Sequence, residues 1–273
     1  MNIPELLQAQ KNFFTNQQTK DISFRKNALK KLQKELIKRE NDIIKALHND
    51  FKKSEYEAVM TETSIVLAEL KMAIKNIHTW AKPKRVLPSL LNFPSSAKIH
   101  KEPYGNTLII APWNYPYQLA FAPLLGAVAA GNTVILKPSE LTPHTSKITK
   151  EIIATVFDKN HVSVIEGGVS VSQELLAQRW DYIFFTGSVP VGKIIAKAAA
   201  KHLTPVTLEL GGKSPCIIDD TVNLKLVARR LVWGKFLNGG QTCIAPDYLL
   251  VKNTIKEQLI ELLKTEIIKA YSE

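Results

Sequence analysis

Apolar residues in the first third of the chain recur at three- and four-residue steps. Leu29, Leu32, Leu36, Ile43, Ala46 and Leu47 form one stripe with lysines between them, and Ile65, Leu70, Ala73, Ile74 and Ile77 continue it. That spacing predicts helices from Pro4 to Trp80, each burying one face. Pro83 stops the pattern, because proline has no backbone donor to extend a helix. Lys84 to Ser96 holds Pro88, Pro94 and several serines and reads as an irregular connection, with a short strand between Ser96 and Glu102.

After Tyr104 the period shortens. β-prone runs at Thr107–Ile110, Thr133–Leu136, Val162–Ile165, Tyr182–Phe185 and Thr207–Leu210 alternate with helical patterns at Tyr117–Ala130, His144–Phe157, Ser172–Gln178 and Val191–His202. Such alternation predicts a parallel sheet with right-handed crossovers. Beyond Gly212 the same texture resumes, with strands at Cys216–Ile218 and Tyr248–Val251 and helices at Leu224–Phe236 and Thr254–Ala270. The expected fold class is α/β. N-terminal helices (1–83) and a connecting segment (84–103) lead into a Rossmann-like sheet domain (104–211), and the start of a further α/β domain (212–273) follows.

Composition narrows the class of partner. The hydrophobic fraction of 45% and charged fraction of 22% suit a globular protein. The net charge of +11 raises a nucleic-acid partner. However, much of the excess lies between Lys20 and Lys53, interleaved with acids and lacking alternating aromatics, so a solvated helix face is expected instead. Cys216 and Cys243 make no disulfide framework, and no Cys or His falls at zinc spacing, so no metal site is expected. Met1–Phe14 carries no secretory pattern, and the apolar run Leu119–Gly131 is too short to span a bilayer and is interrupted by Pro123. These features predict a soluble cytoplasmic protein without a membrane span.

Ligands in open α/β sheets sit at the carboxyl ends of the strands. Those ends carry Pro112-Trp113-Asn114, Lys137-Pro138-Ser139-Glu140, Thr186-Gly187-Ser188 and Glu209-Leu210-Gly211-Gly212. The turn Gly187-Ser188-Val189-Pro190-Val191-Gly192 opens a helix whose free N–H groups suit a pyrophosphate, although G-x-G-x-x-G is absent. Lys137 and Glu140 suit either ribose hydroxyls or a surface ion pair. Asn114, stiffened by Pro112 and Pro116, can donate to an oxyanion or simply stabilise its turn. Glu209 ends an apolar strand, where a half-buried carboxylate would hold its proton more tightly and serve as a base; a capped structural Glu is the alternative. Cys243 follows two glycines, with the access that a nucleophilic thiol needs, whereas Cys216 reads as core.

Together Ala111–Pro116, Leu136–Glu140, Phe184–Ser188, Leu208–Lys213 and Asn238–Cys243 resemble the aldehyde dehydrogenase superfamily. Ile244-Ala245-Pro246-Asp247-Tyr248 and the short N-terminal helical region are similar to its class 3 branch, the fatty and aromatic aldehyde dehydrogenases. The resemblance implies that Cys243 attacks an aldehyde, that Asn114 and the Cys243 N–H hold the oxyanion, and that Glu209 activates water. NAD or NADP would sit on Trp113, Lys137, Glu140 and the segment Gly187, Ser188, Val189, Pro190, Val191, Gly192. It also implies a departure. Family members continue past position 273 with a Glu-x-Phe-Gly-Pro segment that holds the nicotinamide ribose and a closing strand that joins homodimers; neither occurs here. Low turnover and exposed core are expected in consequence. The competing expectation is an inactive truncated remnant that binds nucleotide or associates with a full-length partner.

Overall fold

The computed structural model describes residues 2–271. The chain divides into two compact units, one running to Glu209 and the other starting at Leu210.

The first unit opens with helices α1 (Ile3–Thr15), α2 (Ile22–Lys38), α3 (Glu40–Phe51), α4 (Glu55–Ala58) and α5 (Ser64–Ala81). A π-helical turn over Val59–Thr63 joins α4 to α5. Leu29, Leu32, Leu36, Ile43, Ala46 and Leu47 are all buried, as their spacing predicts. Ile65 is not: it is 37% exposed, and the buried stripe of α5 runs through Val66, Leu70, Ala73 and Ile77. The wider π-helical turn just before α5 sets a phase that a uniform 3.6-residue period does not anticipate.

Within the segment read as irregular, β1 (Lys84–Val86) pairs antiparallel with β2 (Ala97–Ile99). A strand of two basic residues and a valine has no alternation by which to be recognised. The expected strand between Ser96 and Glu102 corresponds to β2.

Strands β3 (Asn106–Ile110), β4 (Thr133–Lys137), β5 (Val162–Val164), β6 (Tyr182–Gly187) and β7 (Val206–Leu210) form a five-stranded sheet in the order β5-β4-β3-β6-β7. The β3–β4, β3–β6 and β4–β5 pairings are parallel. Helices α6 (Gln118–Ala130), α7 (Pro143–Val156), α8 (Val169–Leu176) and α9 (Val189–Ala200) alternate with the strands. Every residue of β3 and β4 is buried, which is why both read as continuous apolar runs rather than alternating ones. Leu29, Leu70 and Ile77 of the N-terminal helices share one apolar core with Ile109 and Leu136 of the sheet and with Phe121 and Ile152 of the crossover helices. α6 runs through Pro123, as the helical pattern Tyr117–Ala130 predicts, so the proline does not break the apolar run. One lost hydrogen bond is outweighed by the burial of Ala120, Phe121, Leu124, Leu125 and Val128.

The second unit holds a parallel pair, β8 (Ser214–Ile218) and β9 (Pro246–Val251), with helices α10 (Leu224–Phe236) and α11 (Lys256–Tyr271). Its core is small: Ile218, Ala228, Leu231 and Leu259, with Cys216 among the partly buried residues packed against them. Cys216 is thus part of a core, as expected. None of the described helices is long and apolar enough to cross a membrane.

Candidate active site

The topology of the sheet fixes where a ligand would lie. From β3 the strands step outward through β4 to β5, and the chain then returns to the other side of β3 as β6 and β7. The reversal falls between β3 and β6, the position at which doubly wound sheets open a crevice. In register, Ile110 pairs with Lys137 on one side and with Phe185 on the other. The three strands therefore end level, and the Trp113–Asn114 loop, the Lys137–Glu140 segment and the Gly187 turn all emerge at one edge of the sheet.

The loop after β3 is held closely. The Ala111 N–H donates to the Lys137 carbonyl at 3.0 Å. Pro112, Tyr115, Pro116 and Tyr117 are buried, Asn114 is half-buried, and Trp113 is 40% exposed. An amide and an indole are thus presented at the strand end by a rigid frame.

Lys137 closes β4 with its side chain only 4% exposed, and its Nζ donates to Glu140 Oε2 at 2.5 Å. Of the two roles left open for this pair, the surface one does not hold for Lys137, which is buried. Burial pushes the Glu140 carboxyl up, but the Lys137 hydrogen bond, its own backbone N–H and the lysine charge outweigh this and leave it below the usual carboxylate range. Glu140 is therefore an anion, with its side chain 41% exposed.

At the turn into α9, Ser188 occupies the N-cap position but makes no capping hydrogen bond, and Pro190 stands in the first turn. The first N–H groups of a helix have no partner within it, so this end is suited to an anion. Gly187 has a packing reason: a Cβ there would lie 2.5 Å from Phe185 Cζ. Gly192 is buried, and its N–H donates to the Ser188 carbonyl at 2.9 Å.

Glu209 lies on the edge strand β7 and is exposed. The half-burial expected of it is absent, because an edge strand of alternating character turns this position outward.

Cys243 belongs to the second unit, and Asn114, Glu209 and the sheet-edge residues belong to the first. It is an exposed free thiol. After α10 the backbone passes through three successive left-handed residues, Asn238 (φ 56°), Gly239 (φ 62°) and Gly240 (φ 78°). Only glycine adopts this conformation without strain, and a Cβ at Gly240 would also approach the Lys235 carbonyl to 3.2 Å. The Gly-Gly pair thus reverses the chain sharply. A turn closed by Ala245 N–H to Thr242 O (3.0 Å) then carries Cys243. A Cβ on Gly212 would lie 3.7 Å from the Cys243 carbonyl oxygen, so the Gly211-Gly212 segment runs beside the thiol's backbone.

Two residues that sequence reasoning passed over support the Asn114 loop: Lys53 and Glu62. Both are buried, and the Glu62 carboxylate accepts from the backbone of Tyr117 and Gln118. The sequence places Lys53 at the end of a solvated basic stretch, but the structure buries it. Glu62 has no local signal, since the backbone groups it accepts from lie more than fifty positions downstream, and Lys53 is buried through its pairing with Glu62.

The chain matches the model of the aldehyde dehydrogenase family over residues 2–271. It is 52% identical over 263 residues to 4,4'-diaponeurosporen-aldehyde dehydrogenase of Staphylococcus aureus, covering 96% of this chain and 57% of that protein. Aldehyde dehydrogenase family 3 member B3 of Mus musculus is 45% identical over 269 residues, covering 98% of this chain and 56% of that protein. A solved substrate-bound state of Staphylococcus aureus AldH superposes with a TM-score of 0.97 at 51% identity, over all of this chain and 60% of that one. The chain thus spans little more than half the length of these relatives. The family and the class 3 likeness expected from the motifs agree with these matches.

Proposed function

The chain belongs to the aldehyde dehydrogenase family, and we propose that it serves NAD(P)+-dependent oxidation of aldehydes to carboxylic acids. The observation that carries this reading is the strand register, which brings the Asn114 loop, the Lys137–Glu140 pair and the Gly187 turn to one edge of the sheet at its point of reversal.

In this reading the Cys243 thiolate adds to the aldehyde carbonyl, forming a C–S bond and an oxyanion. The Asn114 side-chain amide and the Cys243 backbone N–H donate to that oxygen and stabilise the charge as it develops. Lys137 and Glu140 would hold the adenosine ribose, the Ser188–Val191 helix start would meet the pyrophosphate, and Trp113 lies at the same edge. When bound, the nicotinamide supplies a hydride acceptor for the substrate carbon. Loss of that hydride leaves an acyl group on Cys243 Sγ. Glu209 takes a proton from water, the hydroxide adds to the acyl carbon, and the thiolate departs as the carboxylic acid forms.

The features present fit a dinucleotide. The N-terminus of α9 is not capped by Ser188, and Gly187 permits close backbone packing. Because Glu140 neutralises the Lys137 ammonium, the pair favours a ribose diol over a 2′-phosphate, hence NAD over NADP. A small-molecule aldehyde is the partner, and neither nucleic acid nor a membrane span enters the reading. A homodimer is the assembly that the family likeness suggests, and the exposed Leu87, Leu90 and Leu91 beside the β1–β2 ribbon would suit one. Two free thiols fit a reducing, cytoplasmic setting.

The direct test is ligand-dependent melting. NAD+ should raise the melting temperature more than NADP+ at equal concentration, by mass action on the folded state. An E140K variant should reverse that order. No shift with either nucleotide would overturn the cofactor site.

A further inference from the structure

Glu62 lies in the π-helical turn between α4 and α5 and is fully buried. Its Oε1 accepts from Lys53 Nζ at 2.6 Å, and its Oε2 accepts from the backbone N–H of Tyr117 at 2.9 Å and of Gln118 at 3.1 Å. Lys53 is buried as well, and follows Lys52, whose left-handed backbone (φ 58°) ends α3. The Lys53 ammonium stands 4.9 Å from the centre of the Tyr115 ring and 5.5 Å from that of Phe51.

This arrangement is more elaborate than helix capping requires. A local Ser, Thr, Asp or Asn would satisfy the first N–H groups of α6, yet Tyr117, at the N-cap, makes no side-chain capping bond. The cap comes instead from a buried carboxylate 55 residues earlier. Burying that charge is costly unless it is paired and fully hydrogen-bonded. Here both oxygens are used, with Lys53 as the counter-ion. Residues 113–116, directly ahead of this cap, include Asn114. The loop is thus pinned at its β3 end by Ala111 on the Lys137 carbonyl, at its α6 end by Glu62, and midway by Lys53 over Tyr115. π-Helical turns recur beside functional sites, where they re-aim side chains.

We propose that Lys53 and Glu62 are positioning residues. They fix the 113–116 loop from the N-terminal helices and so hold the Asn114 amide where the oxyanion forms. This rests on the reading of Asn114 as an oxyanion donor, and the experiment separates the two claims.

The comparison is between K53M/E62Q and K53M/E62L. Both double variants remove both charges and keep similar volume. Only the first retains an acceptor oxygen for Tyr117 and Gln118, and removing the lysine avoids a donor facing the Gln amide. Hydrogen exchange by mass spectrometry is followed over residues 111–118, with melting as a check that both variants fold. Hydrolysis of p-nitrophenyl acetate, after subtraction of C243A, gives kcat and KM separately. Exchange at 113–118 should be on the order of tenfold faster in K53M/E62L than in K53M/E62Q. In K53M/E62L, kcat should fall with KM little changed, as in N114A. Equal exchange in the two variants overturns the proposal, whatever the turnover. Faster exchange with kcat unmoved in both K53M/E62L and N114A supports the anchor and overturns the role given to Asn114.

Discussion

At the scale of single residues, the two cysteines differ in their surroundings, as their sequence contexts suggest. Cys243 is an exposed thiol after a left-handed reversal, whereas Cys216 is partly buried against Ile218 and Leu231. Iodoacetamide should therefore modify Cys243 at least about tenfold faster in the folded protein, the difference that access makes. Peptide mapping against time measures this, and equal rates would contradict the assignment. His161 carries a second prediction. Its ring is buried among Phe13, Phe24 and Phe157, and Nε2 has no hydrogen-bond partner. Burial lowers its pKa to about 4, against the opposing pull of Asp158 and the Asn132 backbone. In the unfolded chain the imidazole titrates near its ordinary value of 6.5. Between those values the unfolded state binds the extra proton. The contribution of neutral His161 is thus complete above about pH 6.5 and is lost as pH falls towards about 4. The loss should be about 3 kcal/mol, and H161F should remove most of it. Denaturant midpoints at several pH values decide this, and an unchanged acid limb in H161F would refute it. Neither the aromatic cage nor the buried ion pair is legible in the sequence, since His161 is enclosed by the distant Phe13 and Phe24 and Glu62 is held by the distant backbone of Tyr117 and Gln118.

At the scale of elements, periodicity carried most of the fold because each strand and helix buries a face in its own local period. The predicted strand Thr133–Leu136 falls within β4, and the predicted helix Leu224–Phe236 coincides with α10. What failed were features set by neighbours. The phase of α5 follows a π-helical turn, and β1 exists only through its pairing with β2. The Gly187 turn shows how a motif and its packing combine. The 2.5 Å approach of a Cβ to the Phe185 ring means that G187A must displace an aromatic side chain, at about 1–3 kcal/mol. G187A should lower the melting temperature and abolish stabilisation by NAD+. F185L/G187A, with the ring gone, should regain the melting temperature without regaining the nucleotide response if the added methyl also obstructs the pyrophosphate. A full nucleotide response in G187A would show that the turn needs glycine for packing alone.

At the scale of the whole molecule, the parts expected to cooperate are divided between the two units. Asn114, Glu209 and the sheet-edge residues lie in the first, and Cys243 lies in the second. The sequence revealed which residues to consider, through five separated motifs in one order, but not the burial of Lys137 or the exposure of Glu209. Those depend on which strand is central and which is at the edge. The central claim is a covalent one: Cys243 carries the acyl group, and Glu209 is needed to release it. The most direct test is intact-mass and peptide analysis of the chain and of E209Q after mixing with p-nitrophenyl acetate, which acylates the thiol without needing a hydride acceptor. The account predicts a single acetyl group on the Cys243 peptide, transient in the parent and persistent in E209Q. Acetyl groups scattered over lysines, or an adduct on Cys243 whose lifetime is the same in both proteins, would contradict it.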